Sequence, residues 1–97
     1  MRVFSELVRL AHGDGRFFRI LGMKLKQLQC IAAVVQSNFS VTAAAEKLHL
    51  SQPAVSKQIK LAEELLGLPI FRRNSKALVG LTEVGEAMMP DIERIMV

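Results

Sequence analysis

From Ser40 to Gly67 the sequence writes two capped helices with only two residues between them, and that brevity constrains the fold more than anything else in the chain. Ser40 is placed to cap a helix over Val41 to Leu48, "VTAAAEKL", where three consecutive alanines give high propensity and allow close approach of a neighbour. His49-Leu50 then makes a short turn, with no recurring metal-ligand pattern around the histidine. Ser51 caps the next helix, and Pro53 sits in its first turn, where a missing amide hydrogen costs little. Gly67 stops that helix and Pro69 enforces the stop. A two-residue link forces the two helices to cross, so each must bury one face against a third element.

The second of these helices has two unlike faces. Val55, Ile59, Ala62 and Leu66 recur at helical spacing and are expected to be buried. Gln52, Ser56, Lys57 and Lys60 lie on or near the opposite side, which is short, polar and cationic. A helix fits the major groove of DNA, and a bulky apolar face would block that fit. Gln52 has the two amide atoms that pair with adenine, and Ser56 is short enough for close approach.

The flanking segments supply the remaining elements. Leu25, Leu28, Ile31, Ala32 and Val35 define a first core helix over Leu25 to Ser37, ended by Asn38-Phe39-Ser40. After Pro69, "IF" and "LV" are short β-like runs with Asn74-Ser75 between them as a turn. This predicts a two-stranded hairpin with Arg72, Arg73 and Lys76 near its tip. Thr82 caps a last helix over about residues 83–97, with Glu83 in its first turn and Pro90 inside it. Met88, Ile92, Ile95 and Met96 form an apolar stripe there, expected to have little to pack against within the domain and to serve a partner helix. The architecture expected is mainly α: a three-helix core, a two-stranded wing and a linker helix, which is a winged helix-turn-helix.

Charge and composition narrow the function. The chain has 97 residues, room for one small domain, and 51% of them are hydrophobic, which is globular rather than disordered. The net charge is +4, and between Ser51 and Lys76 five cations stand against two carboxylates, an excess of three that suits an anionic partner. Cys30 is the single cysteine, without a disulfide or zinc partner, and is expected to act as a small apolar core residue in a reducing cytoplasm. No run approaches a membrane span, and Glu6 and Arg9 interrupt what would be the apolar centre of a signal peptide. No glycine-rich phosphate loop, metal-ligand spacing or nucleophile-base motif is visible, so neither an enzyme nor a cofactor is expected. Residues 1–22 stand apart. A short amphipathic helix from Arg2 to Ala11 is expected, ended by "GDG", either as an added contact arm or as an extension upstream of Met23.

The segment "AAAEKLHLSQPAVSKQIKLAEELLGLPIFRR" resembles the DNA-binding domain of LysR-type transcriptional regulators. The likeness runs from Met23 to about Val97 through "MKLKQL", "SVTAAA", "SQPAVS", E-x-x-L-G ending at Gly67, F-x-R from Phe71 and LT-x-x-G from Leu81. It implies a bacterial regulator that binds an interrupted inverted repeat of double-stranded DNA as a dimer or tetramer. By resemblance, Gln52, Pro53, Ser56 and Lys57 fall at base and groove contacts, Thr42 near the DNA backbone and Lys76 at the minor groove. With Ser51, Lys60, Arg72 and Arg73 they make up the expected DNA-binding set. The same resemblance makes the last helix a dimerisation helix through Met88, Ile92, Ile95 and Met96. The wing from Phe71 to Thr82 is one residue longer than the commonest spacing, a length similar to that of members controlling sulfur and cysteine metabolism. The family's larger inducer-binding domain is absent from this chain. Residues 1–22, 23–82 and 83–97 are thus read as extension, DNA-binding domain and truncated linker helix. The alternative is a protein-interaction or dimerisation module, or a fragment without DNA binding of its own.

Overall fold

A computed structural model describes residues 23–96. The expected helix from Arg2 to Ala11 lies outside them. The order is α1 (Leu25–Gln36), α2 (Val41–Leu48), α3 (Gln52–Leu66), β1 (Phe71–Asn74), β2 (Ala77–Leu81) and α4 (Glu83–Met96). This is the winged helix-turn-helix read from the sequence.

Local chemistry accounts for most boundaries. The Gln27 side chain accepts from the Lys24 N–H at 3.0 Å and opens α1. The Ser40 hydroxyl accepts from the Ala43 N–H at 3.1 Å, and Ser51 accepts from Ala54 at 3.2 Å. His49 ends α2 in the left-handed conformation, and Gly67, at φ 79°, ends α3 in the same way. Asn38 and Phe39 are also left-handed, and the Phe39 N–H closes α1 on the Val34 carbonyl at 2.8 Å. That conformation costs a bulky residue about 1–2 kcal/mol. The Phe39 ring offsets part of it by meeting Phe71 edge-on, with centroids 6.2 Å apart.

The core forms where α1 meets α2, α3 and α4. Val55, Ile59, Ala62 and Leu66 all point into it, as their spacing requires. Cys30 is fully buried in the same cluster. Burial pushes its thiol up, against a weaker downward pull from Lys26. In α1 the inward stripe is wider than its simplest period. Cys30, Ala33 and Val34 are buried with Leu28, Ile31 and Ala32, whereas Leu25 is 60% exposed. A helix packed on three sides has no single apolar face, and Leu25 falls at its open N-terminal end.

Two expectations are corrected. The stripe on α4 does not stand free. Met88 and Ile92 are 1% and 0% exposed, and Ile95 and Met96 pack half-buried against the same core. Helix α4 turns back onto α1, so Met88 and Ile92 complete this chain's own interior and present no surface to a partner helix. This removes the main support for a pure interaction module. The helix also runs through Pro90 to Met96.

The wing turn also lies one residue further on. Phe71 pairs with Leu81 and Arg72 with Gly80, but Arg73 pairs with Leu78 and Asn74 with Ala77. Val79 is therefore an odd residue, taken up as a bulge opposite the Arg72–Arg73 step. The shift leaves Ser75-Lys76 as a two-residue turn, with Ser75 left-handed at φ 60°.

Candidate nucleic-acid interface

The turn between α2 and α3 presents the N-terminal half of α3 outward. Thr42 is exposed in the first turn of α2, and Ser51, Gln52, Pro53, Ser56, Lys57 and Lys60 are all exposed on α3 or its cap. The Ser51 hydroxyl already accepts from Ala54, so its first task is to hold the helix end in place. The hairpin rises beside this face. Between them runs a groove of about 470 Å³, with Ser56 and Lys60 on the helix side and Ser75 and Lys76 on the wing side. Lys57, Lys60 and Lys76 make no ion pair or hydrogen bond with another described residue. Their charge remains available to an anion lying along the groove.

The two wing arginines are placed differently from the expectation. Neither stands at the tip. Arg72 sits opposite Gly80, and its Nε donates to the Leu81 carbonyl at 3.1 Å. Arg73 turns toward α3, and its guanidinium meets the Glu63 carboxylate at 2.8 Å. Arg72 is thus engaged within the wing, and Arg73 joins the wing to α3. Only Lys76, in the turn itself, is free at the tip.

Glu63 opens the E-x-x-L-G mark noted in the sequence, but its role between α3 and the wing was not read there. Its carboxylate accepts from the Ile70 N–H at 2.7 Å, from the Phe71 N–H at 3.2 Å and from Arg73. One side chain thus links α3 to the first strand of the wing. A signal was present. Position 63 lies four residues after Ile59, beside the inward stripe, where a carboxylate needs partners. Burial alone would raise its carboxyl, but the Arg73 guanidinium and the two amides outweigh burial and hold it below the ordinary range. A depressed folded value gives stability that is present above the unfolded carboxyl range, near pH 4.3, and lost as pH falls through the folded value. Wild-type protein and Glu63→Gln should therefore differ in melting temperature at neutral pH. They should converge as pH drops below about 4 in a thermal series followed by circular dichroism.

The comparisons with known proteins agree with this geometry. A family profile described as "Bacterial regulatory helix-turn-helix protein, lysR family" matches residues 25–86. The HTH-type transcriptional regulator CysB of Haemophilus influenzae is 40% identical over 75 residues, which is 77% of this chain and 23% of that protein. CysB of Thiocapsa roseopersicina is 48% identical over 67 residues, 69% of this chain and 49% of that protein. This chain thus spans a quarter to a half of the length of these two relatives, which are transcriptional regulators and not enzymes. Among solved structures, a CbnR DBD–DNA complex superposes with a TM-score of 0.69 at 34% identity, over 76% of this chain and 83% of that one. No described helix is long and apolar enough to cross a membrane. The chain belongs to the lysR family of bacterial regulatory helix-turn-helix proteins.

Proposed function

We propose that residues 23–82 bind double-stranded DNA by sequence, with α3 in the major groove and the wing at the minor groove, as the DNA-binding part of a cytoplasmic transcriptional regulator. The observation that carries this reading is the groove between α3 and the wing. Three unpaired lysines, Lys57, Lys60 and Lys76, lie on or beside it, and Gln52 and Ser56 stand exposed at the helix end nearest a base edge. Gln52 reads a base, while Lys57 and Lys60 neutralise phosphates and Thr42 lies along the backbone. In the complete regulator two such domains pair on an interrupted inverted repeat. Residues 83–97 are the linker helix of that pair. With Met88 and Ile92 committed to the core, pairing falls to the outer side of α4 and its end at Ile95 and Met96. The odd residue at Val79 gives the wing the length expected of members that control sulfur and cysteine metabolism, and supports placing this chain among them.

Selection from a random double-stranded pool with the purified chain tests the reading. An enriched half-site, single or as an inverted repeat, supports it; folded protein that enriches nothing overturns it. Lys57→Ala is expected to weaken binding to all sequences and to reduce the salt slope by about one. Gln52→Ala is expected to relax preference at one base position, worth about 1–3 kcal/mol of discrimination. Equal loss of specific and non-specific binding in Gln52→Ala would remove it from base reading.

A further inference from the structure

We propose that Glu63 is the positioning residue of this surface: its carboxylate fixes where the wing stands relative to α3, and so whether Lys76 reaches DNA while α3 lies in the groove. The inference rests on the DNA-binding reading and goes beyond it by assigning a role to a carboxylate whose hydrogen bonds are all made to the wing.

Three observations carry it. First, both oxygens of the carboxylate are used, and every partner lies within residues 70–73, at the root of the wing. Second, Ile70 and Phe71 are 0% and 1% exposed, so water does not readily replace the carboxylate at their amides. Third, the hairpin is anchored in the core at its root by Ile70 and Phe71, while its direct packing on α3 beyond that root is slight. Strand β2 packs on α4, whereas α3 and β1 are not among the closely packed pairs of elements. After Gly67 the chain reaches β1 through only Leu68, Pro69 and Ile70. The Glu63 carboxylate, bonded to the Ile70 and Phe71 amides and to Arg73, is the polar tie that sets how the strand leaves this anchored root relative to α3. Arg73, 39% exposed, is the outer leg of that tie, and it and Glu63 both line the groove that Lys60 and Lys76 share.

The experiment compares wild type, Glu63→Gln, Arg73→Ala and Lys76→Ala. Gln keeps one acceptor oxygen at nearly the same volume, and Arg73→Ala removes only the exposed leg, so at least one of the two keeps the fold. Residual dipolar couplings of the free protein report the hairpin's orientation relative to α3 without DNA. In wild type one alignment tensor is expected to fit both. In Glu63→Gln, and to a smaller degree in Arg73→Ala, the hairpin should depart from it. A hairpin that keeps its orientation in both variants overturns the positioning role, whatever happens with DNA. Binding to the selected site is the second readout. Lys76→Ala is expected to weaken wild type by roughly threefold to fivefold, as one exposed cation–phosphate contact does. In the Glu63→Gln background the same change should have no further effect, because the wing no longer reaches. Additive losses would overturn the proposal. A wild type that selects no sequence, with the hairpin displaced in Glu63→Gln, would locate the failure in the DNA reading and leave the structural tie intact.

Discussion

Replacing Ile92 by Ala is expected to lower the domain's own unfolding free energy by about 2–5 kcal/mol, independently of protein concentration. Ile92 has no exposed surface and lies in the cluster where α4 meets α1. Truncation removes apolar contact and leaves a cavity that fixed helices fill only in part. Small domains have about 5–15 kcal/mol in all, so the variant should sit close to unfolding. The competing expectation, that the stripe is a pairing surface, makes a different forecast. Stability would then follow mass action, and the defect would shrink as protein concentration rises. Urea midpoints at two concentrations roughly twentyfold apart separate the two. A shift in midpoint that is the same at both places Ile92 in the monomer's core. A shift that disappears at the higher concentration returns it to an interface. Met96→Ala, at the half-buried end of the helix, should lose less than Ile92→Ala in the same assay.

Gly85→Ala is expected to lose about 2 kcal/mol or more, while Gly80→Ala changes stability by no more than about 0.5 kcal/mol. Alanine in a helix normally gains roughly 1 kcal/mol over glycine. At Gly85 that gain is overridden. A Cβ there would overlap the Ile70 carbonyl oxygen and stand 2.9 Å from Leu81 Cδ2. The Ile70 carbonyl cannot move aside cheaply, because it accepts from the Thr82 N–H at 2.9 Å and shares the Thr82 hydroxyl, at 3.1 Å, with the Pro69 carbonyl at 2.8 Å. The Thr82 hydroxyl in turn accepts from the Gly85 N–H at 3.0 Å, so cap, carbonyl and glycine form one closed set. At Gly80 the new Cβ would meet Arg72 Nη2 at 2.5 Å, the far end of a flexible, exposed side chain that can give way. Thermal melts should show a fall on the order of 10–15 °C for Gly85→Ala and little change for Gly80→Ala. Equal falls in the two would mean that the Gly85 contact is not the cause.

The set of exposed candidates on α3 was legible because it depends on one helix. Once Ser51 and Pro53 fix where the helix starts, a period of 3.6 sends Val55, Ile59, Ala62 and Leu66 inward and leaves Gln52, Ser56, Lys57 and Lys60 outside. The wing cations were not legible in the same way. Arg72, Arg73 and Lys76 are equivalent as a run of charge, yet one donates to its own strand, one binds Glu63 and one is free. That division depends on the bulge at Val79, which turns the register by one residue, and on the return of β1 past the end of α3.

By itself the sequence determined the helix starts and stops, the two-residue link between α2 and α3, and the inward stripe of α3. Each of these follows from atoms within about four residues of one another, through a serine oxygen on a nearby amide, a glycine taking the left-handed region, or side chains one turn apart. The tertiary structure alone decided that Met88 and Ile92 face this chain's own core, that Glu63 ties helix to wing, and that Gly85 tolerates no Cβ. In each of these the deciding partner lies seven or more residues away or on another element. No local pattern encodes which of two apolar surfaces, or which of several cations, the chain will meet when it folds back.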